Sequence, residues 1–173
     1  MKKKVVAALI VAAALPVVAK WEGLRLAPYY DIVGVKTVCY GETRGVEDRI
    51  YTKAECDAML SGGLEEFYVK IDHCMPDDVP PKAAGMFLSL AYNVGPGAFC
   101  KSQTLQSAFA RKDYAAACRG LTLFNKAGGK VVKGLANRRA EEAAEDEGAP
   151  AHGWSPFGGR EIGRASCRER VSS

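Results

Sequence analysis

Histidine is almost missing from this chain: two residues of 173, His73 and His152. No two cysteines stand as CxxC, so a zinc site has little to draw on. The six cysteines, Cys39, Cys56, Cys74, Cys100, Cys118 and Cys167, are dispersed singly, a usage that suits an oxidising compartment such as the bacterial periplasm. No histidine is placed to activate a thiol, so the cysteines read as structural staples or small core residues. A basic stripe is also lacking. The formal net charge is +4, but Lys2, Lys3 and Lys4 supply +3 and the last fourteen residues +2, which leaves −1 on everything between. A near-neutral body argues against a nucleic-acid partner.

Long hydrophobic runs are lacking too. An uncharged, mostly apolar stretch runs from Val5 to Ala19, about 22 Å as a helix against a hydrocarbon core of roughly 30 Å. It follows three lysines, and Val17 and Ala19 satisfy a small-residue cleavage rule, so residues 1–19 read as a cleaved secretory signal. Cleavage there would leave Glu22 third from a frayed terminus, where no side chain is held precisely enough for catalysis. The alternative is an uncleaved anchor. Its alanines make weak membrane filler yet form helix readily in water, so such a segment can enter lipid, leave it, and lead into Glu22. Both readings export the rest of the chain.

The chain length fits one domain. Residues 24 to 51 alternate apolar and polar side chains around Gly34, Gly41 and Gly45, which predicts a small antiparallel sheet. Thr52 to Glu55 forms a capping box. Cys56, Leu60, Leu64, Phe67 and Ile71 then recur on one helical face, with Gly62 and Gly63 weakening its middle. Pro80-Pro81 opens a second helix, apolar nearly all round, which NVGPG ends. Further helices follow Ser102 and Asp113 as N-caps, and a last one covers roughly 134 to 147. A short sheet followed by helices is an α+β pattern, two lobes with a cleft between. Residues 20–148 form the predicted domain. The last helix buries nothing larger than alanine on this reading, and residues 149–173, rich in Gly, Pro, Ser and Arg, read as a disordered, non-native tail. With Cys167 set aside, five cysteines remain and one thiol is left free. Cys39 and Cys56 flank the sheet and can pair; among Cys74, Cys100 and Cys118 any two can.

KWEGLRLAPYYDIVGVKTVCYGETRG, residues 20 to 45, places Glu22, Asp31 and Thr37 at spacings of nine and six. Cleaving a glycosidic bond takes one protonated carboxyl for the leaving oxygen and one ionised carboxylate for water or sugar. Glu22, between Trp21 and Leu24, suits an apolar pocket; Asp31 opens a polar turn; Thr37 lies on a strand where its hydroxyl can orient water. Alone, two acids nine apart prove nothing.

The segment Glu22-Gly23-Leu24-Arg25-Leu26, then Tyr30-Asp31, Gly34, Thr37 and Cys39-Tyr40-Gly41-Glu42-Thr43, resembles the catalytic segment of phage-type lysozymes, glycoside hydrolase family 24. SLAYNVGPGAFCKS, residues 89 to 102, and GLANRR, residues 134 to 139, are similar to later blocks of that family. Two departures stand out. Glu42 occupies a place where the family often has His, and residues 123 to 129 lack the Trp and Tyr of its WTYAGG block. The resemblance implies a two-lobed lysozyme fold, with Glu22 as general acid, Asp31 as general base and Thr37 as its helper. It implies sugar contacts at Gly41, Tyr92, Asn93 and Ser102, and neither metal nor organic cofactor.

Within the family the look-alikes are endolysins with a signal-arrest-release anchor. They imply peptidoglycan glycan strands as substrate, transient tethering to the inner membrane through residues 1–19, and a monomeric enzyme in the periplasm of a Gram-negative host. This anchor has no cysteine, so control would come from the tether, which keeps Glu22 at the bilayer surface. Two rival readings stand beside this one. A lytic transglycosylase uses a lone Glu, and a catalytically dead wall-binding or membrane protein uses none.

Overall fold

A computed structural model describes residues 2–144; the predicted tail, 149–173, lies outside the described residues. The alanine-rich segment is one unbroken helix, α1, Lys2–Glu22. Ile10, Val11, Ala14, Val17 and Val18 are buried, a single helical face, and that face packs on α2 (Lys53–Ile71) and α3 (Pro81–Val94). The approach to α3 is close because Gly85 has no side chain. A Cβ there would sit 2.6 Å from Ala13 Cβ and 3.0 Å from the Ala14 nitrogen and the Ile10 carbonyl oxygen.

α3 is the buried centre expected of it: every residue from Ala83 to Ala91 is buried, and Pro81 occupies its first turn. α2 runs through Gly62 and Gly63 without a break, and both halves of the Thr52/Glu55 capping box form. Cys56, Leu60, Leu64 and Ile71 are buried in α2, but Phe67 is only half-buried, its ring 4.9 Å from that of Tyr92. After α3, NVGPG does more than end a helix. Gly95 turns at φ 88° and Pro96 starts α4, Pro96–Cys100. Ser102 and Asp113 cap α5 (Gln103–Ala110) and α6 (Tyr114–Leu121), accepting from Leu105 N–H and Ala116 N–H.

The small sheet pairs β1 (Arg25–Tyr30) with β2 (Lys36–Cys39) antiparallel, setting Tyr29 opposite Thr37. A second hairpin, β3 (Lys126–Ala127) and β4 (Lys130–Val131), turns at Gly128-Gly129; strands of two residues carry no alternation by which to predict them. The final helix, α7 (Lys133–Ala144), corrects one expectation: it buries Arg138, Arg139 and Glu142, charged residues held by one another.

Disulfides tie β2 to α2 through Cys39–Cys56 and the turn at 72–74 to α4 through Cys74–Cys100. Cys118 is disulfide-bonded as well. The expectation of one free thiol is thereby overturned.

Candidate active site

Glu22 is the last residue of α1, released from the helix by Gly23 at φ 76°. Its Oε1 accepts a 2.9 Å hydrogen bond from Arg138 Nη1. The apolar pocket expected from its sequence neighbours is not what it meets: Leu24 is exposed, and the contact is a guanidinium. Trp21 turns instead to α7, where its Nε1 donates to Glu141 Oε2 at 3.1 Å and Lys20 pairs with Glu141 Oε1 at 2.6 Å. Three successive residues of α1 are therefore fastened to one helix.

Arg138 is itself anchored from behind. Its Nε donates to Glu142 Oε1 at 3.2 Å, and Ser89 Oγ donates to the same oxygen at 2.6 Å. Arg139 donates from Nη2 to Asn93 Oδ1 at 3.1 Å. Its Nε lies 3.1 Å from Glu142 Oε2, close enough for an ion pair but off the hydrogen-bonding direction, so neither atom gains a hydrogen bond. Of the two descriptions the ion pair is the apt one, since attraction at that range needs no alignment. Burial drives the Glu142 carboxyl above its usual range against the pull of two guanidinium groups, and it lowers Arg139 to about 10. A network of this kind holds its members in one geometry more surely than it stabilises the fold.

Asp31 organises the turn between β1 and β2. Its Oδ1 accepts from Val33 N–H at 2.9 Å and Val35 N–H at 2.8 Å; Oδ2 accepts no hydrogen bond among the described residues. Thr37 is buried, and its hydroxyl donates to the Val35 carbonyl at 2.9 Å. Both side chains thus hang on Val35, Asp31 through its N–H and Thr37 through its C=O. The Thr37 proton is already engaged, which leaves its lone pairs as the group offered outward.

A groove of about 310 Å³ lies between the sheet and α2, lined among others by Gly41, Glu42, Arg44, Glu66, Phe67 and Tyr92. Burial first, and then the charges of Glu22 and Glu42, raise the Tyr92 phenol above its ordinary value. Glu22, Asp31 and Thr37 are not among the residues that line this groove. Burial also acts to raise the Glu42 carboxyl, but hydrogen bonds from Thr43 and Arg44 outweigh it and hold the group low. Arg44 continues to Glu66, donating from Nη1 at 3.0 and 3.1 Å, which joins the loop after β2 to α2.

Of the residues singled out in sequence, Asp31 and Thr37 come together in one hairpin, and Gly41 and Tyr92 line one groove. Asn93 is tied to Arg139 rather than to the groove lining, and Ser102 serves as a helix cap. Sequence reading missed Arg138, Arg139, Glu142 and Ser89. The signal was present: arginines three and four residues before a glutamate on one helix can pair with it on a single face.

A helical lobe whose first helix ends in an acid, set against a small sheet whose turn carries a second acid, defines the class of two-lobed lysozymes. The family model for phage lysozyme matches residues 19–142. The chain is 41% identical over 123 residues to the SAR-endolysin of Bacteriophage PS119, covering 70% of this chain and 73% of that protein. It is 38% identical over 124 residues to the SAR-endolysin of Escherichia phage Mu, covering 71% and 72%. In structure it is similar to a P22 lysozyme, with a TM-score of 0.66, 26% identity, and coverage of 75% of this chain and 92% of that one. The chain belongs to the phage lysozyme family. It is an endolysin, a hydrolase whose family acts on peptidoglycan.

Proposed function

We propose that Glu22 is the general acid, Asp31 the general base and Thr37 its helper in hydrolysis of the β-1,4 bond between N-acetylmuramic acid and N-acetylglucosamine. The observation that carries the reading is the hold on Glu22. Arg138 occupies Oε1 from a buried position, which leaves Oε2 for the glycosidic oxygen. The double attachment to Val35 supports the second half. A water that donates one proton to Asp31 Oδ2 and the other to Thr37 Oγ1 turns its own lone pair toward the sugar carbon. Asp31 takes the proton as the new bond forms, while Glu22 gives its proton to the departing oxygen. Gly41 and Tyr92, on the groove wall, contact sugar, and Asn93 and Ser102 are weaker candidates because each already has a structural partner.

Clearing of purified Gram-negative peptidoglycan tests this. Wild-type protein releases reducing ends, whereas Glu22→Gln, isosteric and still able to accept from Arg138, loses several orders of magnitude. Anhydro ends in the products would turn the reading to a transglycosylase, and binding without cleavage to a wall-binding protein.

The second element is location. Lys4–Glu22 is long and apolar enough to cross a membrane, with mean hydropathy 1.9 and only 28% of the window buried against the protein. That composition supports export to the periplasm on an uncleaved tether. While α1 lies in lipid it cannot pack on α3, and Glu22 cannot reach Arg138. Membrane-bound protein with full muralytic activity would defeat the tethered-inactive state and leave the chemistry untouched.

A further inference from the structure

The Cys74–Cys100 disulfide differs from its counterpart in surroundings. Cys39 and Cys56 are both buried, and no imidazole contacts them among the described residues. Cys74 and Cys100 are half-buried, and His73 beside them is exposed. His73 Nε2 lies 3.2 Å from Cys74 Sγ, and the imidazole and both sulfurs fall within 4.8 Å of one another. The described cysteines are staples, as the sequence suggests, but one of them has a histidine at its side: the 72–74 turn brings His73 onto the Cys74 sulfur. That turn is held in place from α5, where Gln106 Nε2 donates to the Cys74 carbonyl at 3.1 Å. A surface depression of about 300 Å³ opens beside it, lined by His73, Cys74, Met75, Gln106 and Phe109 among others. Cys100 is not in that lining.

We propose that His73, Cys74 and Cys100 form a thiol-exchange site that takes small thiols at the Cys74 sulfur. An incoming thiol enters the depression and gives its proton to the unprotonated nitrogen of the His73 imidazole, whose Nε2–H is turned onto the Cys74 sulfur. The thiolate attacks Cys74 Sγ, a new S–S bond forms there, and the bond to Cys100 breaks with Cys100 leaving as thiolate. The proton passes from His73 to that thiolate. A second equivalent of thiol, attacking the mixed disulfide through its own sulfur, releases Cys74 and carries away the oxidised disulfide, so two electrons are transferred in all. Histidine is the side chain suited to accept and return a proton near neutral pH, and thiolate, not thiol, is the nucleophile. Neither cysteine belongs to the groove or to the network around Glu22, so the exchange stands apart from sugar cleavage.

The test is to incubate the folded protein with reduced glutathione, quench with an alkylating agent, and map the modified peptides. Glutathione is expected on Cys74 and the alkyl group on Cys100, with Cys39–Cys56 intact in the same sample as an internal reference. His73→Gln, an exposed change that leaves the turn's backbone contacts alone, is expected to slow adduct formation about a hundredfold, at the low end of what a positioned proton acceptor contributes. A first adduct on Cys39, Cys56 or Cys100, or an unchanged rate in His73→Gln, overturns the proposal.

Discussion

Arg138 and Glu22 are 116 positions apart and meet at 2.9 Å, the last helix of the described chain holding the last residue of the first. Position 22 is therefore set by two ends of the fold at once. Arg138→Met keeps the stem and removes the charge. It is expected to lower kcat about a hundredfold, the scale associated with misplacing a reacting group by an ångström. Because Glu142 loses one of its two guanidinium partners and keeps Arg139, stability should fall by about 3 kcal/mol, the lower end of the cost of breaking a buried pair. Urea denaturation and turnover corrected for the folded fraction separate the two effects.

Asp31→Asn tests whether the turn needs the charge or only the acceptor. The amide oxygen can still take the Val33 and Val35 N–H groups, so the melting temperature should move by no more than a few degrees. Activity on peptidoglycan should fall by several orders of magnitude, since an amide cannot take a proton from water. A collapsed melting temperature would make Asp31 a turn residue first.

Gly85 sets the distance between α1 and α3. Gly85→Val forces atoms into the Ala13 side chain and the α1 backbone, and overpacking of that kind costs about 1–3 kcal/mol. The displaced helix carries Glu22, so peptidoglycan clearing should fall even at temperatures where circular dichroism shows full folding. Gly62→Ala, at an open helical position of α2, is the control and should stabilise slightly.

The Thr52/Glu55 box gives a pH test. A hydrogen bond from Arg49, with others from Thr52, holds Glu55 at about 2, below its ordinary 4.5. The unfolded chain therefore binds that proton first as acid is added, and the stability contributed by the ionised form is present above 4.5 and lost as the pH falls toward 2. The gap in urea midpoint between wild type and Glu55→Gln should shrink across that window and stay flat from pH 5 to 7.

How much of this was legible in the sequence follows from the range of each interaction. The capping box, the Pro81 start, the Ser102 and Asp113 caps and the buried run of α3 are written in neighbouring residues, and each formed as read. Asp31 and Thr37 stood out through the family resemblance alone; that both side chains bond Val35 became visible only in the structure. The surroundings of Glu22 were not legible from Trp21 and Leu24, because its partner arrives from α7. A buried arginine looks the same in sequence as an exposed one, which is also why α7 was read as burying only alanine. The β3–β4 hairpin and α4 are too short to show a period at all.

The contact at Gly85 also explains the odd composition of the first helix. Ala13 and Ala14 stand where Gly85 comes against the helix, and Ile10, Val11, Val17 and Val18 fill the rest of the same buried face. A missing side chain on the central helix thus fixes how deeply the first helix seats, and with it the place at which that helix delivers its final carboxylate.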